Sequence, residues 1–86
     1  MIYQILAYKN KTINAFSQPT FHEVPVEYLV ESVKRHVFKG SKNLNDHELW
    51  FIGEFNDNTG ILKYEPLKLL DIDEVLKDNE ARIKEQ

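Results

Sequence analysis

The sequence predicts an α+β domain with the element order ββαββα. Three observations carry that prediction. Residues 2–8 and 48–55 are rich in β-branched and aromatic side chains, and each stretch is followed by a polar turn and a shorter apolar run, the pattern of two hairpins. Between them Val26, Leu29, Val30, Val33 and Val37 recur on one face of a helix. Near the end Asp71 and Glu74 have capping-box spacing and open a charged C-terminal helix. Two hairpins joined in one antiparallel sheet, with the first helix packed on one face, is the architecture that buries these surfaces. An OB-like curved barrel is the alternative, because a curved sheet with a glycine bend shares much of the pattern.

Each element has a local reason. In residues 2–8, Tyr3, Ile5 and Ala7 alternate with Ile2, Leu6 and Tyr8, so both faces are apolar and the strand is expected to be central or covered on both sides. Residues 9–12 are polar, and Asn10 suits a turn with positive φ. Residues 13–17 read as the return strand, ended by Gln18-Pro19-Thr20 because proline cannot donate to a ladder. The helix is expected over 25–39. Pro25 sits in its first turn, Glu27 and Glu31 come early, and Lys34, Arg35 and Lys39 come late, an order that complements the helix dipole. Glu31 and Arg35 form an i,i+4 pair, and Gly40 is the stop. Residues 41–47 are a polar loop. In the next strand Leu49, Phe51 and Phe55 fall on one face by strict alternation and are assigned to the core, while Gly53 signals a bulge or a close backbone approach. Residues 56–60 form a hairpin turn with Gly60 in the left-handed position. Residues 61–64 return, Glu65-Pro66 interrupts, and residues 67–70 are ambiguous between strand and helix lead-in.

Composition narrows the function classes. An 86-residue chain fits one domain, residues 1–86, with a thin core, burying only ~60–65% of its unfolded surface. The absence of cysteine excludes a disulfide framework, a thiol nucleophile and a cysteine zinc site. An apolar fraction of 42% is too high for a disordered chain, and the apolar runs are too short for a membrane span. Without a signal-peptide pattern at the N-terminus, a soluble intracellular protein with no membrane partner is expected. His47-Glu48-Leu49-Trp50-Phe51 begins like a metalloprotease motif but has Phe51 where the second histidine belongs. His22, His36 and His47 lack ligand spacing, and the three glycines are too scattered for a phosphate loop. The clustered acids Asp71, Asp73 and Glu74 are explained by helix capping. No enzyme, cofactor or metal is expected.

The net charge of −3 conceals a polarity, since residues 1–43 carry +3 and residues 44–86 carry −6. A basic half suggests an anionic partner. Binding single-stranded nucleic acid requires cations that follow the backbone and aromatic faces on which bases stack. The candidate cations are Lys9, Lys11, Lys34, Arg35, Lys39 and Lys42, and the candidate stacking residues are Tyr8, Phe16 and Trp50, with Tyr3, Phe21 and Tyr64 as further aromatics. So few cations bind weakly per chain, and a homodimer would double the patch. The competing expectation is a non-enzymatic adaptor that meets a protein partner through a sheet edge or the acidic C-terminal helix.

The block Glu48-Leu49-Trp50-Phe51-Ile52-Gly53-Glu54-Phe55-Asn56-Asp57-Asn58-Thr59-Gly60 resembles the small nonstructural protein of gokushovirus-type microviruses, which are single-stranded DNA phages. Members of that family look like an N-terminal hairpin, a helix, a polar loop, a strand reading Leu-aromatic-x-Ile-Gly-Glu-Phe and an Asp/Asn-Thr-Gly turn, and the resemblance spans residues 1–70. It implies a nonstructural, DNA-binding protein of phage genome replication, acting at the switch to single-strand synthesis and packaging. It also implies the bacterial cytoplasm as location and phage or host proteins as further partners. It assigns no contact residues; those named above rest on charge and aromatic placement.

Overall fold

A computed structural model describes residues 1–36 and 44–84. Strands β1 (Ile2–Asn10) and β2 (Ala15–His22) form the first hairpin, followed by α1 (Val26–His36). Strands β3 (His47–Asn56) and β4 (Ile61–Asp71) form the second, followed by α2 (Ile72–Lys84). The four strands make one antiparallel sheet in the order β2-β1-β3-β4. The α+β expectation therefore holds, and of the two alternatives for β1, central or covered on both sides, the strand order makes it central. The order is linear, with β2 and β4 as edges, so the sheet is open and the OB-like barrel is set aside. Residues 37–43, with the expected helix end and Gly40, lie outside the described residues.

Both helices lie on one face. Leu6 and Leu49 from the sheet meet Ile72 and Val75 of α2, and Leu29 and Val33 of α1 pack against that cluster. Ile72 is fully buried and Leu49 nearly so. The Asp71 carboxylate accepts the N–H groups of Asp73 (3.0 Å) and Glu74 (3.4 Å), which is the predicted cap of α2. At α1 the Pro25 carbonyl accepts the N–H groups of Tyr28 (3.1 Å) and Leu29 (3.4 Å), so Pro25 precedes the first helical residue. Glu31 pairs with Lys34 at 3.7 Å.

The strands depart from the sequence expectations at four places, each for a backbone reason. The first is the β1–β2 turn, where Asn10 does not take the left-handed conformation. Its side chain accepts the N–H groups of Thr12 (2.9 Å) and Ile13 (3.0 Å), while Asn14 takes φ 55°, so Ile13 belongs to the turn. The second is Pro19, which does not end β2. Leu6 pairs with Thr20 and Tyr8 with Ser17, so Gln18 and Pro19 together face Ala7 in a bulge, with Gln18 at φ 55°. An edge strand tolerates this because no further strand requires the missing N–H.

The third departure lies in β3. Ile5 pairs with Gly53 but Leu6 with Phe51, which leaves Ile52 as an extra residue. The bulge predicted at Gly53 is present, and it reverses the alternation. Phe51 stays on the helix face with Leu6, whereas Phe55 pairs with Tyr3 on the opposite face, so the expected common core face of Leu49, Phe51 and Phe55 is corrected. The fourth is Glu65-Pro66, which does not end β4 but lies within it at a register shift, the two residues together facing Ile52 between the Gly53–Tyr64 and Phe51–Leu67 pairs. At the far turn Gly60 takes φ 73° as expected, and the Asn56 side chain accepts the N–H groups of Asn58 and Thr59.

Candidate nucleic-acid interface

The face away from the helices is an aromatic surface. Register places Tyr3, Ile5, Ala7 and Lys9 of β1 beside Phe55, Gly53, Trp50 and Glu48 of β3, and Phe21 and Phe16 of β2 beside Ile5 and Lys9. Tyr64, Leu62 and Lys68 of β4 complete it through their pairs Gly53, Phe55 and Trp50. Two ring clusters result. Phe21 meets Tyr3 (centroids 6.5 Å) and Phe55 (6.1 Å) edge-on. Phe16 meets Trp50 at 5.7 Å with planes at 85°. Between the clusters Ile5, Ala7, Ile52 and Pro19 floor a shallow apolar depression rimmed by Phe16 and Tyr64. Phe16 (43%), Phe21 (55%) and Tyr64 (65%) remain exposed, so their ring surface is available to a partner.

Lys9 is the cation built into this surface. Its Nζ lies 4.7 Å from the Trp50 ring centroid and 5.3 Å from that of Phe16, a cation–π arrangement that holds the ammonium against both rings. The indole N–H of Trp50 donates to Glu48 (3.1 Å), whose other oxygen pairs with Lys68 (3.3 Å). These bonds fix the indole orientation, and Lys68 offsets the one carboxylate beside it. Lys68 carries no local signal in the sequence, because only the β3–β4 register brings it next to Trp50.

The remaining candidates separate. Tyr8 lies on the other face, packed against the Leu6–Leu49 cluster and edge-on to His47 at 6.5 Å, and burial raises its phenol pKa. It does not share a surface with Phe16 and Trp50. Lys11 is held at the foot of the sheet between Asp73 (2.9 Å) and Asp71 (3.1 Å). Hydrogen bonds to these carboxylates raise its pKa well above the usual lysine value. The bond from Lys11, followed by the Asp46 backbone N–H at 3.1 Å, holds the Asp73 carboxyl below its usual range. Thr12 also bonds to Asp46, so the group ties the β1–β2 turn to the start of α2. Lys34 and Arg35 are exposed on α1, across the sheet from Trp50. Lys39 and Lys42 lie outside the described residues. Among the described residues the cations of the first half thus do not form one patch, and Lys9, Phe16 and Trp50 are the described candidates that the fold brings together.

Among the described residues no group of three or more metal-ligating side chains is clustered, and no helix is long and apolar enough to cross a membrane. Comparison of the chain with protein-family models, curated proteins and solved structures finds no match.

Proposed function

We propose that the open face binds single-stranded DNA, with bases stacking on Trp50, Phe16 and the exposed ring of Tyr64. The observation that carries this reading is the Lys9 ammonium held over Trp50 and Phe16 at one end of an open sheet face that also exposes Phe21 and Tyr64. Stacking needs ring faces and is tolerant of sequence, while the nearby cations Lys9 and Lys68 supply backbone neutralisation. An open antiparallel sheet presents these groups on one face, so bases are accommodated without a cleft. Together with the resemblance to the microvirus nonstructural protein, the reading assigns a non-enzymatic role in phage genome replication in the bacterial cytoplasm, at the switch to single-strand synthesis.

Fluorescence anisotropy of a labelled single-stranded oligonucleotide over a salt series tests it. Two backbone cations give a shallow dependence, a slope of log K against log[salt] of about −1.4 per chain. Absence of salt-sensitive binding at low ionic strength would contradict the reading.

A further inference from the structure

We propose that β4 pairs with β4 of a second copy of this chain, antiparallel and about a two-fold axis passing through Tyr64. This goes beyond the nucleic-acid reading and does not rest on it. The sheet has two edges, and they differ. The β2 edge is broken by Pro19, the left-handed Gln18 and a register shift, features that blunt an edge against pairing, whereas β4, which also contains Pro66 and two register shifts against β3, has no left-handed residue. Strand β4 is eleven residues long, and Ile61, Leu62, Tyr64 and Leu67 along it are each 59–65% exposed. A long free edge carrying that much apolar surface is a template for another strand.

The sequence of β4 is complementary to itself in one register. With Tyr64 opposite its own copy, Lys63 faces the partner's Glu65, Glu65 faces the partner's Lys63, and Ile61 faces the partner's Leu67. Centring the axis on Lys63 or on Glu65 instead sets like charges directly opposite, which is destabilising. Within one chain Lys63 and Glu65 already lie on the same side of β4, 3.3 Å apart, so the paired strands form a four-charge alternating cluster. The backbone is also poised. The Lys63 carbonyl faces Gly53 on β3, so alternation turns the N–H and C=O groups of Leu62 and Tyr64 outward. Pro66, opposite Leu62 in this register, contributes its carbonyl but no N–H, which keeps the ladder short and the association weak. An axis centred on a residue keeps like faces together. The result is an eight-stranded sheet whose two aromatic faces are continuous.

Sedimentation equilibrium of the protein without nucleic acid tests the proposal. The wild-type chain is expected to pass from monomer to dimer with concentration. K63E and E65K, each at an exposed position and each checked for native circular dichroism, are expected to raise the dimer dissociation constant about tenfold. An equimolar mixture of the two variants restores opposite charges across the axis and is expected to dimerise about as well as wild type. A wild-type monomer at every concentration, a dimer indifferent to K63E, or a mixture no better than its components would overturn the proposal.

Discussion

On one side of the sheet Leu6, Leu49 and Phe51 meet two helices; on the other, Trp50 and Phe55 meet Phe16 and Phe21 of an edge strand, with solvent beyond. The two faces use similar residues to different ends. The covered face buries aliphatic side chains that interlock with Ile72 and Val75. The open face carries rings in edge-on pairs with their remaining surface exposed, and a lysine set against two of them. A chain of this size has helical surface enough to cover only one face, and the 50 × 28 × 17 Å extents reflect that single layer of helices on one sheet. Stability resides in the first face, and the capacity to bind is assigned to the second.

Substitutions should separate the two roles. The largest effect is expected at Gly53, where the bulge sorts Phe51 to one face and Phe55 to the other. A Cβ there would lie 1.9 Å from the Lys63 carbonyl oxygen, so Gly53→Ala must push β4 away and should cost roughly 3–5 kcal/mol in urea unfolding. Ile72→Ala empties a fully buried site under the helices and should cost about 3 kcal/mol, with oligonucleotide affinity retained by the fraction still folded. Trp50→Ala should do the reverse, losing only ~1 kcal/mol of stability but weakening oligonucleotide binding tenfold or more, in line with stacking worth ~1–3 kcal/mol per base. Equal losses of stability from Trp50→Ala and Ile72→Ala would erase the division between the faces.

Two lysines one residue apart sharpen the same comparison. Lys9→Ala should weaken binding a few-fold and flatten the salt slope by about 0.7. Lys11→Ala should leave binding unchanged and lower the melting temperature, because Lys11 serves Asp71 and Asp73. The pH dependence follows from the direction of the shifts. Asp73 is depressed in the native state, so its contribution is present above its usual value of 3.8 and is lost as pH falls through the lower native value. Lys11 is raised, so its contribution is complete below its usual 10.5 and is lost as pH rises through the higher native value. Melting temperatures across pH should fall at both ends, and Lys11→Ala should flatten both limbs.

Much of the covered face was legible in the sequence, because it depends on local periodicity. The stripe through Leu29 and Val33, the two apolar faces of β1, the Asp71 cap and the bulge at Gly53 all announce themselves within a few residues. The open face was less legible, because it depends on register. Alternation carried through Gly53 sends Phe55 to the core, and only the shifted pairing of Ile5 and Leu6 reveals that it points the other way. Tyr8 and Phe16 look equivalent as aromatics near a turn, yet neighbouring β1 positions send them to opposite sides. The acids that occupy Lys11 lie 60 and 62 residues away in sequence, and Lys68 reaches Trp50 only across β3–β4. Pro19 and Pro66 read as strand ends because a proline signal does not say whether its strand is an edge.

Trp50 is the single tryptophan of the chain and stands in the proposed platform, so its own emission reports on the central claim. Titration of the protein with a single-stranded DNA oligomer at low salt should quench Trp50 fluorescence saturably, and added salt should restore it in parallel with loss of anisotropy. Oligonucleotide binding that leaves Trp50 emission unchanged would mean that the strand lies elsewhere on the molecule, and would contradict the assignment of the open face.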